Sequence, residues 1–272
     1  MRFATFFGGV ASLALVAGAS AQWSENFDSY ADGTVLDGVG GWEGWDGVGD
    51  VAGTVTNDRA RSNPNSIVVT SDDDAIHPFS GYTSGQWTFT AYQYVPSGLD
   101  AATYFLLQNV YNHGGPYDWG VQLVFDPSTD EVHDDMQDFY GSGSNYLPAI
   151  YDQWVEIRVE IDLDANFVET FYNDELVSSG DWDTNLDGDI AIANVDLYAP
   201  HAGSVYYDDL SLRSAGGGCI GDFDGNGVVD TRDVIAFLNA WNAGDASSDC
   251  DGNGVIDTRD VICFLNAWNA GC

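Results

Sequence analysis

The stretch Trp154-Val-Glu-Ile-Arg-Val-Glu-Ile-Asp-Leu163 decides the fold of most of this chain. Its apolar residues alternate with charged ones, which is the period-two pattern of a strand with one face in a core and the other in water. The odd-numbered positions from Val155 to Leu163 are predicted to face the core, and the even-numbered positions from Glu156 to Asp162 to face solvent. Nothing resembling a long helical period occurs between about Ser24 and Leu212.

Short runs of the same kind recur on both sides of this stretch, separated by Gly, Pro, Asn and Asp. They are Ser66 to Thr70, Gln86 to Val95, Thr103 to Val110, Trp119 to Phe125, Phe167 to Tyr172, Ile190 to Leu197 and Val205 to Leu212. The economical architecture is mainly β, a two-sheet antiparallel sandwich spanning residues 22–213. A Gly-rich linker at 214–218 and a small all-α domain at 219–272 are predicted to follow.

The sandwich resembles the concanavalin A-like, laminin-G-like jelly-roll family. The likeness lies in the opening Glu25-Asn-Phe-Asp-Ser-Tyr30, in the hairpin from Trp154 to Phe171-Tyr-Asn-Asp-Glu-Leu176, and in the closing Tyr206-Tyr-Asp-Asp-Leu-Ser-Leu212. The resemblance implies that the first and last strands lie side by side, and that the domain binds glycans or carries a structural calcium. The carboxylates it would bring together are Glu25, Asp28, Asp208 and Asp209, with solvated acidic strand ends as the alternative.

Laminarinase-type hydrolases share such a sandwich and carry a Glu-x-Asp-x-Glu pattern, which Glu160-Ile-Asp162-Leu-Asp164 approaches but does not complete. Neighbouring carboxylates on one strand face stand about 7 Å apart, whereas retaining hydrolysis needs about 5–5.5 Å. We therefore expect no catalytic residues, and keep a hydrolase or lyase using Glu160 and Asp162 as the alternative. The four histidines have no Ser or Cys partner motif that would indicate a triad.

Sugars stack on aromatic rings and hydrogen-bond to amides and carboxylates, so exposed aromatics beside such groups indicate a glycan site. The segment Gln108-Asn-Val-Tyr-Asn-His-Gly-Gly-Pro-Tyr-Asp-Trp119 has this mixture, and a second candidate lies in Gly-rich surroundings at Trp42 and Trp45. The candidate glycan-binding residues are Trp42, Trp45, Asn109, Tyr111, Tyr117 and Trp119. Burial in the core is the alternative for each.

A second signal is a tandem repeat, in which Asp222-Phe-Asp-Gly-Asn-Gly-Val-Val-Asp-Thr-Arg-Asp233 returns as Asp249-Cys-Asp-Gly-Asn-Gly-Val-Ile-Asp-Thr-Arg-Asp260. Each copy has the oxygen donors and the sixth-position glycine of a twelve-residue calcium loop. The predicted ligands of two calcium ions are Asp222, Asp224, Asn226, Val228, Asp230 and Asp233 in the first loop, and Asp249, Asp251, Asn253, Val255, Asp257 and Asp260 in the second.

A short amphipathic helix is predicted after each loop, ending at Gly244 and Gly271, with Val234, Ile235, Leu238 and Trp241 on a buried face. Duplicated loops with Asp at position 12 and no helix before the loop resemble a dockerin domain. The resemblance implies a cohesin-like partner, recognised through loop positions 10 and 11. Those positions are Thr231, Arg232, Thr258 and Arg259, with charge compensation as the alternative role of the arginines.

All four cysteines lie in this small C-terminal segment, where disulfides would compensate for a limited core. Of three possible pairings we favour Cys219 with Cys272 and Cys250 with Cys263. A zinc site is the alternative, although no CxxC or nearby histidine supports it.

The chain has 272 residues, 43 acidic side chains against 7 arginines, no lysine and a net charge of −36. This balance makes nucleic acid a poor partner unless calcium bridges it, so no nucleic-acid partner is expected, while the many aromatic residues argue against disorder. Residues 1–21 are typical of a secretory signal, and no later stretch has the length of a membrane span. We therefore expect a secreted or cell-surface calcium-binding protein, whose sandwich binds carbohydrate or serves surface assembly in polysaccharide breakdown, or alternatively binds protein.

Overall fold

The computed structural model describes residues 23–71, 73–141, 143–186, 188–215, 220–223, 229–245, 248–250 and 255–270. The first half contains β1 (Trp23–Glu25), β2 (Glu43–Gly44), β3 (Thr54–Thr56), β4 (Ser66–Val69), β5 (Asp74–Pro78), β6 (Gln86–Tyr94), β7 (Thr103–Tyr111), β8 (Tyr117–Asp126), β9 (Glu131–Asp134) and helix α1 (Asp135–Phe139). The second half contains β10 (Leu147–Pro148), β11 (Trp154–Asp162), β12 (Phe167–Tyr172), β13 (Glu175–Gly180), β14 (Asn194–Tyr198), β15 (Val205–Ser214), α2 (Thr231–Ala243) and α3 (Thr258–Ala270).

The strands form two antiparallel sheets, as predicted for a mainly β sandwich. Sheet A has the order β13-β12-β11-β6-β15-β4-β3, with β1 also paired to β15, and sheet B has the order β10-β9-β8-β7-β14-β5-β2. Because β1 pairs with β15, the first and last strands of the sandwich lie side by side, as the resemblance implied.

Strand β11 lies between β6 and β12 and shows the predicted alternation along its whole length. Val155, Ile157, Val159 and Ile161 are each at most 4% exposed, while the charged residues between them are partly exposed. The core between the two sheets also takes large rings, among them Trp42, Phe89, Phe105, Tyr172 and Trp182.

The predicted strands all exist, with ends shifted by a few residues. The sequence pattern missed β1, β2, β3, β5, β9, β10 and β13. These are short, and β5 carries both an aspartate and a proline, residues that are normally depleted in strands. Their pairing is decided by neighbouring strands rather than by their own composition.

The C-terminal helices follow the repeat, and Gly244 ends α2 in the left-handed conformation expected of a C-cap. The predicted buried face was wrong, because Ile235 is 61% and Leu238 43% exposed. Burial falls instead on Phe237 and Phe264, whose rings stack with centroids 4.1 Å apart. The helix is rotated about its axis relative to the prediction, since ring stacking between the two repeats sets which stripe faces inward.

Candidate functional site

The hairpin formed by β7 and β8 crosses the outer side of sheet B. The Tyr111 hydroxyl, at the end of β7, accepts a hydrogen bond from the Asp46 backbone N–H at 3.0 Å and lies 3.3 Å from Glu43 Oε1. Glu43 belongs to β2, and two strands, β14 and β5, lie between β2 and β7 in the sheet. The hairpin must therefore arch over them, and the register shifts around Gln108 supply the bend.

This arch assembles a group of polar and aromatic side chains that we call the hairpin site. Its residues are Glu43, Trp45, Asp46, Tyr111, His113, Tyr117 and Trp119.

The rings of the hairpin site come from both predicted glycan-binding segments. The Trp45 ring centroid lies 5.4 Å from that of Tyr111 and 4.6 Å from that of Tyr117. Trp119 continues the row, with its centroid 6.3 Å from that of Tyr117. All four side chains are partly exposed, so the row can meet a ligand from solvent.

Two carboxylates tie the arch to β2 and to the turn after it. Asp46 accepts hydrogen bonds from the Tyr117 hydroxyl at 2.7 Å and from the Gly114 N–H at 2.9 Å. The Tyr117 hydrogen bond, followed by the Gly114 one, lowers the pKa of Asp46. Glu43 lies 2.7 Å from His113 Nε2, and this hydrogen bond raises the pKa of His113.

The phenols of the site stay protonated at neutral pH, because burial raises the pKa of Tyr111 and the Asp46 hydrogen bond raises that of Tyr117. The site thus combines ring faces with hydroxyl donors and carboxylate acceptors. These are the groups that sugar C–H faces and sugar hydroxyls require.

Beneath the arch, the outer face of sheet B carries buried polar side chains that the sequence analysis did not single out. Asn194 donates to Gln108 Oε1 at 2.6 Å, and both residues are fully buried. Asp196, only 3% exposed, shares a hydrogen bond with Asp74. Burial raises the pKa of Asp74 to about 6 and that of Asp196 well above its usual range. Two carboxyl groups in one dry site cannot both ionise at low cost, which favours the protonated form of at least one of them.

Two predicted glycan-binding residues are not accessible, so that part of the prediction was wrong. Trp42 is 1% exposed and packs its ring against Phe27, with centroids 5.7 Å apart. Asn109 is 2% exposed and donates to the Asp189 carbonyl at 3.2 Å. Trp42 is buried because its ring packs with the other aromatic rings of the sandwich core. Asn109 is turned away from solvent by the bulge near the end of β7.

The residues of the catalytic alternative lie on the outer face of sheet A, away from the hairpin site. Glu160 forms an ion pair with Arg158. Asp162 accepts a hydrogen bond from Gln86 Nε2 at 2.6 Å and one from the Ala165 N–H at 2.9 Å, the latter closing the turn after β11.

The four carboxylates considered for a sandwich calcium are engaged by donors of the protein. Glu25 accepts from Tyr30 at 2.7 Å, and Asp28 accepts from the Asn65 N–H at 3.0 Å. Asp208 accepts from the Arg61 N–H at 2.7 Å, while Asp209 pairs with the Arg61 guanidinium. Within the described ranges, no group of three or more His, Cys, Asp or Glu residues is arranged to hold a metal ion.

Of the twelve predicted calcium ligands, the described residues include seven, and Asp224, Asn226, Val228, Asp251 and Asn253 lie outside them. The position-12 aspartates, Asp233 and Asp260, have no exposed surface. Each accepts the backbone N–H of its own position-9 residue, Asp230 at 2.8 Å and Asp257 at 2.7 Å. Buried carboxylates in an all-oxygen donor set fit a hard cation such as calcium.

The two repeats contact each other reciprocally. Trp241 Nε1 donates to the Asp257 carbonyl at 2.9 Å, and Trp268 Nε1, 27 positions after Trp241, donates to the Asp230 carbonyl at 2.8 Å. Equivalent residues thus make equivalent bonds in opposite directions, which defines a local two-fold relation. Each loop is anchored by the tryptophan of the other repeat.

The predicted partner-binding residues Thr231, Arg232, Thr258 and Arg259 are all exposed. Arg259 Nη2 lies 2.7 Å from Asp257, and Arg232 Nε lies 3.9 Å from Asp230.

Cys250 and Cys263 form the predicted disulfide, whereas the proposed bond between Cys219 and Cys272 lies outside the described residues. The predicted signal segment, residues 1–21, lies outside them as well, and no described helix is long and apolar enough to cross a membrane.

Sequence reasoning did not assign Glu43, Asp46 and His113 to the site. His113 stands inside the segment from Gln108 to Trp119 and could have been included on composition. Glu43 and Asp46 flank Trp45, but nothing in their spacing shows that β2 receives the hairpin.

No protein-family model matches this chain, and no curated protein matches its sequence. Among solved structures, an alginate lyase aligns with a TM-score of 0.50 and 15% identity, covering 72% of this chain and 98% of that one. A sialidase aligns with a TM-score of 0.50 and 7% identity over 83% of this chain but only 21% of its own. An endo-β-1,4-glucuronan lyase from the fungus Trichoderma reesei aligns with a TM-score of 0.46 and 12% identity, covering 69% of this chain and 96% of that one. At these identities the first two alignments show a shared β-sandwich fold.

Proposed function

We propose that this protein is a secreted polysaccharide-binding protein. Its concanavalin A-like jelly-roll domain binds glycan at the hairpin site. Its dockerin-like C-terminal domain binds two calcium ions and a cohesin-like partner. The observation that carries the glycan assignment is the meeting of Trp45 with Tyr111 and Tyr117, which are 66 and 72 positions away in sequence. Rings such as Trp42 and Trp182 are buried in the core, whereas these three remain partly exposed beside the carboxylates of Glu43 and Asp46.

The test is affinity electrophoresis of the full chain with calcium, in gels cast with laminarin, xylan, galactomannan, alginate or polygalacturonate. We expect retardation by at least one polysaccharide and a loss of about tenfold or more in affinity for Trp45→Ala, since an aromatic anchor contributes over 1 kcal/mol. Trp154→Ala is the matched control, because Trp154 is a partly exposed tryptophan on sheet A. Equal retardation of wild type and Trp45→Ala in every gel contradicts the assignment.

The alternative is a polysaccharide-degrading lyase or glycoside hydrolase that uses the sandwich cleft. It draws support from the alginate lyase whose fold the sandwich shares over 98% of that protein's length. The same mixtures are therefore assayed for new reducing ends and for the ultraviolet absorbance of unsaturated sugars. Retardation without product supports a binding module, whereas product that disappears in a hairpin-site variant supports the enzyme. Product that disappears in Glu160→Gln would support the sheet A mechanism instead.

In the C-terminal domain, the twelve loop residues named above would hold the calcium ions. The ions would neutralise clustered carboxylates and set the helix starts at Thr231 and Thr258. Exposed Ile235 and Leu238 in α2 and their repeat counterparts Ile262 and Leu265 in α3 form an apolar surface beside the predicted recognition residues. A protein partner that contacts the predicted recognition residues would also cover these aliphatic side chains.

The partner assignment is tested by titrating the full chain with a panel of purified cohesin modules in calcium. Because the two repeats carry the same recognition residues, Arg232→Glu and Arg259→Glu alone should leave binding intact. The double variant should lose it. Loss in either single variant would contradict two equivalent faces, and no binding to any cohesin would contradict the partner class.

A further inference from the structure

A cleft of about 970 Å³ opens on the outer side of sheet A, on the opposite face of the sandwich from the hairpin site. It lies beside a bulge in β15, where the pairing with β6 shifts between Asp208 and Ser211. Before the bulge β15 pairs with β4, and after it with β1. The change of neighbour leaves a gap in the sheet edge, and the bulge directs Asp209 toward Arg61.

The cleft is lined mainly by polar side chains, with Leu210 as an apolar member. Five hydroxyl side chains line it, namely Ser24, Ser29, Ser62, Thr90 and Ser211, together with Asn26 and two tyrosines. Ser24 and Ser29 are exposed, so their hydroxyl groups can exchange hydrogen bonds with the hydroxyl groups of a ligand.

Three carboxylates and two arginines line the cleft, so its charges nearly cancel. The residues are Glu25, Glu156, Asp209, Arg61 and Arg213. Arg61 lies over the Tyr92 ring, 3.3 Å from its centroid, and its guanidinium is also paired with Asp209. Glu156 accepts from the Tyr92 hydroxyl at 2.7 Å, and Glu25 accepts from that of Tyr30 at 2.7 Å. These side chains are held in place before any ligand arrives, which lowers the entropic cost of binding.

The near balance of positive and negative charge in the cleft indicates which class of ligand it can bind. An anionic sugar would meet one more carboxylate than guanidinium, on a protein of net charge −36, and would be repelled. An apolar ligand would leave the hydroxyls and charges of the cleft without partners. An uncharged sugar can donate its hydroxyls to the carboxylates and accept hydrogen bonds from Arg61 and from the exposed hydroxyl of Ser24.

We propose that the sheet A cleft is a second carbohydrate site, which binds uncharged hexose or pentose oligosaccharides through their hydroxyl groups. Its volume is that of an ordinary ligand site. The site shares no residue with the hairpin site, and its existence does not depend on the function proposed there. With both sites occupied, one molecule could bind two polysaccharide chains on opposite sides.

The test is isothermal titration of the full chain, in calcium, with cellohexaose, laminarihexaose, mannohexaose and xylohexaose. Ser24→Trp places a bulky ring at an exposed cleft position without touching the core, and Arg61→Gln removes the guanidinium. We expect each to weaken binding of at least one hexaose by tenfold or more. Arg59→Gln is the matched control, since the Arg59 guanidinium lies over the Tyr94 ring, 4.4 Å from its centroid, and neither residue lines the cleft.

The outcomes separate the two proposed sites. Binding that is lost in Ser24→Trp and Arg61→Gln but kept in Trp45→Ala supports the cleft, whatever happens at the hairpin site. Unchanged binding in both cleft variants, or no binding of any hexaose at millimolar concentration, overturns the cleft proposal. Folding of each variant is checked by its thermal unfolding midpoint, and two different substitutions guard against a single misfolded variant.

Discussion

At the residue scale, the least ordinary feature is the buried acid pair Asp74 and Asp196 beneath the hairpin. Desolvation is the main cause of both raised pKa values. A carboxyl group whose folded-state pKa is raised binds protons more tightly in the folded than in the unfolded state. The free energy of unfolding therefore falls as pH rises from the unfolded pKa near 3.8 through the folded pKa of about 6 for Asp74.

We predict that Asp196→Asn removes much of this pH dependence. An amide cannot ionise, so the variant lacks the buried carboxyl group of Asp196, whose pKa desolvation raises well above its usual range and which must lose its proton as pH rises. The thermal midpoint of the variant should exceed that of wild type at pH 8 and approach it near pH 4. The measurement is differential scanning calorimetry across this range, with exposed Glu175→Gln as control. If the thermal midpoint of Asp196→Asn depended on pH as steeply as that of the wild type, the predicted role of the Asp74–Asp196 pair would be contradicted.

At the scale of single elements, β8 supports the hairpin site from below. Gly120 lies between the site residue Trp119 and core residue Val121, and its Cα faces the fully buried Trp182 ring. A Cβ at Gly120 would approach Trp182 Cε3 to 2.6 Å, a distance that real contacts do not reach. The strand can pass over this ring only because it has no side chain there.

Gly120→Ala is accordingly expected to destabilise the protein by about 1–3 kcal/mol, the usual effect of overpacking. Because the strand must shift, glycan affinity at Trp119 and Tyr117 should fall as well. Gly203→Ala is the control, since a Cβ there meets its nearest neighbour, a Leu99 methyl carbon, at an ordinary 3.7 Å. Urea unfolding monitored by tryptophan fluorescence measures the difference, and equal midpoints for the two variants would refute the steric argument.

At the scale of the whole molecule, the chain combines the large hydrophobic core of the sandwich with a small C-terminal segment whose core contains two stacked phenylalanines. Phe237 and Phe264 are the large apolar side chains that are fully buried in the described part of the segment. Such a limited core gives little stability by itself.

Calcium removal is predicted to loosen residues 219–272 and leave the sandwich folded, because the loop carboxylates repel one another without the ion. Limited proteolysis and far-ultraviolet circular dichroism with and without chelator measure this, under oxidising and reducing conditions because the Cys250–Cys263 disulfide can retain residual structure. The thermal midpoint of the sandwich should stay unchanged. Identical digestion patterns with and without chelator would count against the calcium loops.

The sequence by itself determined which residues form the long strands, where the core faces of β11 lie, and which oxygen-bearing residues repeat at calcium-loop spacing. These features are local, since strand alternation and loop chemistry are fixed by neighbours a few positions away. Only the tertiary structure decided that Trp45 meets Tyr111, that Asp74 meets Asp196, that Trp42 is buried, and that a cleft opens beside β15. The physical reason is that period-two alternation states which side of a strand is buried, while strand order, bulges and hairpin curvature arise from packing across the whole sandwich.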